Sequence, residues 1–331
     1  MRLIIRRLLL LALLLSLACA GAVVWWLLQP LSLPGATVDL SIEPGTSVRG
    51  AAQAVADAGV QVNPVLLHWC FRLSGQGRKI RAGSYEIETG ATPLDLLRKL
   101  VRGEEALRSV TLVEGWTFRQ FRAALERAER LKPDTQGLAD EAIMQRLERP
   151  GVAPEGRFFP DTYNYAKGSS DLGVLRRALH AMDRQLAAAW SVRAQSTPLK
   201  DPEQALTLAS IVEKETGLGT DRGLIAGVFC NRLELGMPLQ TDPTVIYGLG
   251  ERFDGNLRRR DLQADTPWNT YTRAGLPPTP IAMPGRAALR AAVQPAPTPA
   301  LYFVARGDGS SQFSSTLEEH NRAVNKYQRG R

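Results

Sequence analysis

The sequence predicts an α+β protein behind one N-terminal transmembrane helix, and three observations carry that prediction. Residues 8–28, LLLLALLLSLACAGAVVWWLL, form 21 uncharged and mostly apolar positions, enough to cross a bilayer core of roughly 30 Å as one helix. Residues 38–103 mix strand and helix patterns: VDLSI and SYEIE place apolar residues at alternate positions, and the segments around them repeat at helical spacing. From Asp201 onward, helical patterns are separated by long Pro-, Gly- and Tyr-rich connections that lead to a strand, ALYFVAR.

Arg2, Arg6 and Arg7 precede the apolar run, and Asp39 and Glu43 follow it. The excess of cationic residues on one side makes residues 1–7 a cytoplasmic tail and leaves the remainder outside, with Trp25 and Trp26 at the outer interface. A cleaved signal using Ala18-Cys19-Ala20, or a lipoprotein signal ending at Cys19, fits less well. A signal core is about 7–15 residues and stops before its cleavage site, whereas this run continues through Val23 to Leu28. Residues 29–37, QPLSLPGAT, read as a linker. Residues 38–105 then form a strand-helix-helix-strand-helix unit. Residues 106–200 form a connecting region: a strand-turn-helix from Ser109, further helices, a Gly/Pro/aromatic loop PEGRFFPDTYNYAKG at 154–168, and a helical pattern over 171–195. Residues 201–331 hold a helix carrying LASIVEKET, another around Leu224–Leu235, the strand ALYFVAR and a helix from Thr316 to Tyr327. The chain ends soon after, which leaves no room for a further module.

Composition narrows the function classes. Lys+Arg number 41 against 33 Asp+Glu, a net charge of +8, but the arginines are scattered and form no basic block, so nucleic acid is not indicated. Spread this way, the charge suits an anionic membrane or an acidic polymer. Cys19 lies in the apolar run, and Cys70 and Cys230 sit among apolar neighbours, HWCF and GVFC. They read as buried free thiols, with one bridge the alternative. His68, His180 and His320 have no metal-ligand spacing, so neither metal nor cofactor is expected.

The decapeptide LASIVEKETG, 208–217, sets two carboxylates in an otherwise apolar helical pattern. At about 100° per residue, Leu208, Ile211, Val212 and Glu215 share one stripe, and Glu213 lies roughly 200° round among more polar positions with Ser210. Such a pair is not the closely spaced dyad of a retaining glycosidase. A carboxyl on the apolar face loses solvation when ionised, so its pKa rises and a proton stays available near neutrality, which is what a general acid needs. Two plainer readings stand beside it: a solvated Glu-Lys-Glu face, or a buried Glu215 satisfied by an Arg or a backbone donor.

LASIVEKETG, FCNRLELGMPLQTDPTVIYGLG (229–250), NTYTRAGLPPTPIAMPG (269–285) and LYFVARGDGSSQFSSTLEEHN (301–321), with VEGWTFRQ (113–120) and PEGRFFPDTY (154–163) upstream, together resemble the YceG-like family of endolytic murein transglycosylases. The similarity covers nearly everything beyond the linker. It implies a bacterial inner-membrane enzyme, periplasmic apart from its anchor and N-terminus. Such an enzyme cleaves the β-1,4 bond between N-acetylmuramic acid and N-acetylglucosamine in peptidoglycan strands without water, leaving a 1,6-anhydro end. It also implies a small LysM-like domain over 38–105, a catalytic domain over 201–331 of mixed helices and strands, and penicillin-binding proteins or other glycan polymerases as partners. The family's catalytic Glu matches Glu215, with Glu213 supporting it or, alternatively, itself the acid. The Glu215-Thr216 pair is similar to the Glu-Ser of other lytic transglycosylases.

Within LQTDPTVIYG and NTY, the residues Gln240, Thr241, Asp242, Tyr247, Asn269, Thr270 and Tyr271 offer the hydrogen-bonding groups and aromatic planes a sugar site requires. Asp242 could equally cap the following turn. Trp268 could stack on sugar or pack in the fold. Glu155 and Asp161 could carry charge near the cleft, although Gly156 and Pro160 suggest a shaped loop. LPPTPIAMPG reads as a rigid groove wall. Two other functions stay open: a hydrolase on the same glycan, with Asp242 or Glu155 as base, and a membrane-tethered, non-catalytic peptidoglycan-binding scaffold.

Overall fold

The computed structural model describes residues 2–215 and 218–330; Thr216 of the Glu-Thr pair, and the side chain of Cys19, lie outside the described residues. Mixed helices and short antiparallel sheets make the chain α+β, and it divides into two units, Met1–Arg108 with Ala166–Gly168, and Ser109–Tyr165 with Ser169–Arg331.

The first unit opens with α1 (Arg2–Leu27). Its stretch Leu9–Leu27 is long and apolar enough to cross a membrane, and its described side chains are exposed except at Trp26 and Leu27, which are half-buried. There follow β1 (Thr37–Ile42), α2 (Val48–Asp57), α3 (Pro64–Leu73), β2 (Gly83–Glu88) and α4 (Pro93–Arg102), the order the hydrophobic periods predict. β1 and β2 pair antiparallel, with Val38 opposite Ile87 and Leu40 opposite Tyr85; alternate residues therefore share one buried face. The helix starts follow from short polar side chains that satisfy free amides. Ser47 Oγ accepts from Gly50 N at 3.1 Å, Asn63 Oδ1 from Val65 N at 2.9 Å just before Pro64, and Thr92 with Asp95 forms a reciprocal cap. The core gathers Leu40, Leu67, Phe71, Tyr85, Ile87 and Leu100. The segment after α1, expected as a linker, is held to this core. Leu31 is buried and its N–H donates to Ala91 O at 2.8 Å, Gln61 N donates to Ser32 O at 2.9 Å, and Trp26 and Leu33 pack alongside.

The chain continues through β3 (Leu107–Thr111), α5 (Phe118–Glu126), α6 (Asp140–Arg146), β4 (Thr162–Ala166), α7 (Asp171–Ser191), α8 (Pro202–Glu215), α9 (Gly219–Glu234), α10 (Asp242–Leu249), α11 (Arg259–Gln263), α12 (Arg286–Val293), β5 (Tyr302–Ala305), β6 (Ser311–Ser314) and α13 (Leu317–Gln328). Two expectations are corrected. The segment 154–168, read as loop from its glycines and prolines, contains β4, whose Tyr163 and Tyr165 alternate into the core. The connections after α9, read as irregular, contain α10, α11, α12 and β6. Ala-rich RAALRAAV buries Ala288, Leu289, Ala292 and Val293 against α8 and α9.

The second unit has two apolar clusters. One joins α5, α6 and α7 through Phe118, Phe121, Ile143 and Leu175, with Phe158 stacked on Phe118. The other surrounds α8 with α7, α9, α10 and α12. All eight residues from Ala205 to Val212 are buried, so the middle of α8 is enclosed on every side rather than along one stripe, and exposure returns only at its ends, at Glu203 and Lys214. Ser210, expected on a more polar face, is fully buried, and its Oγ accepts from Ile281 N at 3.0 Å. Cys230 is buried and Cys70 half-buried, both unbridged.

Candidate active site

α8 delivers both glutamates of the decapeptide from its last turn, and the two carboxyls meet different surroundings. Glu215 enters a cleft of about 490 Å³ that is also lined by Arg232, Gln240, Thr241, Asp242, Tyr271 and Tyr302. The Thr241 hydroxyl donates to the Glu215 carboxyl. Burial pushes that carboxyl up to about 7; the Thr241 hydrogen bond opposes the shift and the Asp242 charge adds to it. Because desolvation dominates, Glu215 keeps its proton near neutrality.

Glu213 accepts from Gly285 N at 2.9 Å, at the start of α12. Burial raises its pKa too, with Glu114 nearby adding to the shift. It is absent from the cleft lining. A Cβ at Gly285 would lie 1.8 Å from Glu114 Oε1, the end of an exposed side chain that can swing aside. Gly285→Ala should therefore displace the Glu114 carboxyl and replace the glycine at the start of α12 by a poorer cap at a cost of about 1 kcal/mol or less, read as a slightly lower urea midpoint at unchanged slope.

The loop before α10 is built to present Thr241. Gln240 takes a φ of +51°, a left-handed conformation that a non-glycine residue adopts at a cost. Gln240 N donates to Thr270 O at 3.0 Å and Thr241 N to Thr270 Oγ1 at 3.1 Å, while the Thr244 and Thr270 hydroxyls meet at 2.9 Å. Arg232, from α9, braces the same loop: Nη1 donates to the carbonyls of Pro238 and Leu239 and to Gln240 Oε1, and Nε donates to Leu301 O at 2.6 Å. The Tyr271 hydroxyl donates to Asp242 Oδ1 at 2.7 Å, so Asp242 opens α10 without capping it.

Four of the seven expected binding residues, Gln240, Thr241, Asp242 and Tyr271, thus line the cleft with Glu215. The structure does not bring Tyr247, Asn269 or Thr270 to it, Thr270 instead bracing the Gln240-Thr241 loop from behind. Asn269 is fully buried and donates to the carbonyls of Leu262 and Ala264 at 3.0 and 2.7 Å, while its Oδ1 accepts from Tyr271 N; its role is to shape the Tyr271 turn. Tyr247 packs edge-on against Trp268, and its hydroxyl reaches Glu155. Trp268 donates to Thr279 Oγ1 at 2.9 Å, which makes it a packing residue. Glu155 is buried, accepts from Phe118 N at 3.0 Å, and is pushed up to about 7 by burial; it too lies outside the cleft lining.

The opposite wall was not read from the sequence. Tyr302 of β5 stacks on His320 of α13, ring centroids 5.2 Å apart, with the Arg232 guanidinium 5.0 Å from the Tyr302 ring. The strand and helix were both legible, but their side chains carry no spacing that signals a cleft. Among the described residues, no three His, Cys, Asp or Glu side chains converge as a metal site would need.

Comparison with known proteins adds ancestry to this geometry. The model of the YceG-like family matches residues 40–326. The chain belongs to the YceG-like family. The endolytic murein transglycosylase of Bacillus subtilis (strain 168) is 32% identical over 308 residues, spanning 88% of this chain and 85% of that protein. The endolytic murein transglycosylase of Streptococcus pneumoniae serotype 2 (strain D39 / NCTC 7466) is 27% identical over 324 residues, spanning 87% of this chain but 58% of that longer protein. The crystal structure of a yceG-like protein from Listeria monocytogenes superposes with a TM-score of 0.53 at 28% identity, over 86% of this chain and 98% of that one. All the cleft residues named above fall within the YceG-like match.

Proposed function

We propose that this YceG-like chain is a lyase, an endolytic peptidoglycan transglycosylase that cleaves the MurNAc-β-1,4-GlcNAc bond without water. The observation that carries the reading is the Glu215 carboxyl, its pKa raised by burial, in an open cleft among Gln240, Thr241, Asp242 and Tyr271. The names of the family's relatives support the substrate.

In this mechanism Glu215 gives its proton to the glycosidic oxygen as the C1–O bond breaks. The muramyl 6-hydroxyl then attacks C1 and returns its proton to the Glu215 carboxylate, closing the 1,6-anhydro ring. One carboxyl serves both steps because the nucleophile is already part of the sugar. Thr241 holds the carboxyl in place. Gln240, Asp242 and Tyr271 supply hydrogen bonds to hydroxyl and acetamido groups, and Glu213 keeps the end of α8 against α12.

Around this centre, α1 is a single-pass anchor in the inner membrane with its N-terminus cytoplasmic and the rest periplasmic. Residues 38–105 act as a LysM-like glycan-binding module and 201–331 as the catalytic part. Cuts made beside membrane-bound glycan polymerases such as penicillin-binding proteins would end the growth of new strands. The presence of Asp242 in the same cleft keeps a hydrolase as the second reading, although the Tyr271 hydroxyl engages that carboxylate.

Mass spectrometry of products from purified peptidoglycan separates the two. Anhydromuramyl ends are expected; reducing muramyl ends would establish the hydrolase, and no products would favour a binding scaffold. The pH profile follows from the raised pKa. The acid must be protonated, so the rate should hold below about 7 and fall roughly tenfold per unit above it, read from initial rates across that range. A profile flat through pH 8 would remove Glu215 as the acid.

A further inference from the structure

Among the described residues, nothing covers one face of α3. Val65, Leu66, Trp69 and Leu73 are 59%, 51%, 49% and 80% exposed, and at about 100° per residue they span an arc of roughly 100°. Leu67 and Phe71, on the other side of the helix, are fully buried in the core of the first unit. A helix apolar on both sides normally has apolar matter on both.

We propose that this face of α3 rests on the bilayer surface beside α1, an inference that depends on the reading of α1 as a membrane anchor. Position supports it first. The segment leaving α1 is fixed to the unit by the Gln61–Ser32 hydrogen bond and by Trp26 packed on the core. Ser32 follows Leu27, the end of α1, by only a few residues, and Gln61 precedes α3 by even fewer. The start of α3 is thereby held close to where the chain leaves the membrane. Charge supports it second. From Ala58 through Tyr85 the chain has Arg72, Arg78, Lys79 and Arg81 and no acidic residue, which matches an anionic lipid surface. Residue type supports it third. Trp69 carries the Arg72 guanidinium 5.5 Å from its ring, and aromatic and cationic groups of this kind settle at a headgroup boundary, the apolar part inward and the charge toward water.

The test uses the full chain in vesicles of phosphatidylethanolamine and phosphatidylglycerol. With Cys19, Cys70 and Cys230 replaced by serine, a nitroxide is placed by Leu66→Cys, by Leu73→Cys, or by Gln53→Cys, at an exposed position of α2, as the control. Dissolved oxygen should relax the first two labels more than a water-soluble nickel chelate does, and the order should reverse at the control. Nickel dominance at all three positions in a chain that floats with vesicles would overturn the proposal alone; failure to float would overturn the anchor reading beneath it. Shielding that appears only on adding glycan strands would assign the face to glycan and also overturn it. A second measurement leaves the cysteines intact: lipids brominated near the headgroup should quench more fluorescence from the unaltered chain than from Trp69→Phe. Equal quenching would count against docking.

Discussion

Glu215→Gln should abolish glycan cleavage, lowering the rate by roughly 10²–10⁴-fold, the range that loss of a positioned acid produces. The fold should survive, because the amide has nearly the same shape and its oxygen can still accept from the Thr241 hydroxyl. What the amide lacks is a proton it can release and recover. Glu213→Gln is the informative companion: its amide oxygen can still accept from Gly285 N, so a far smaller loss is expected. Anhydromuramyl ends counted by mass spectrometry, beside circular dichroism of each variant, measure both. A silent Glu213→Gln with an inactive, folded Glu215→Gln assigns the acid to Glu215; the reverse pattern assigns it to Glu213.

Phe158→Ala should give the largest stability loss, about 3–5 kcal/mol. The Phe158 ring is fully buried and stacks on Phe118 with centroids 5.0 Å apart and planes 17° from parallel. Its removal leaves a cavity among α5, α6 and α7 that rigid neighbours fill only in part. Since whole-domain stabilities are about 5–15 kcal/mol, the urea midpoint should fall by a large fraction at little-changed slope. A shift near 1 kcal/mol would mean that the loop carrying Glu155 and Phe158 collapses into the space.

How much of this was legible depended on the kind of signal. The first unit could be read element by element because each strand and helix there has a core on one side, and period reports such an arrangement directly. α8 could be recognised as a helix, but the stripe argument for Glu215 over Glu213 rested on a polar face that the middle of the helix does not have, as buried Ser210 shows. What distinguishes the two carboxyls is which neighbours close over them: the Thr241 loop for one, Gly285 for the other. These contacts join residues 26 and 72 positions apart, and no local pattern encodes them. Tyr247 was misplaced for the same reason. Its motif promised an aromatic plane for sugar, while the fold turned the ring onto Trp268 and the hydroxyl onto Glu155. β4 and α12 were missed because glycine, proline and alanine obscure the alternation of two tyrosines and the apolar side of a short helix.

Glu215 sits at the C-terminal end of α8, where the backbone carbonyls of a helix present partial negative charge. A carboxylate formed there is repelled by its own helix as well as starved of water. In the proposed reaction this links the two half-steps: whatever makes the acid reluctant to part with its proton makes its conjugate base correspondingly eager to take one back. The muramyl 6-hydroxyl, an alcohol that solvent bases barely touch, then faces a base whose strength is set first by its burial. Letting water reach this one carboxyl would retune both proton transfers at once without altering any group that touches the sugar.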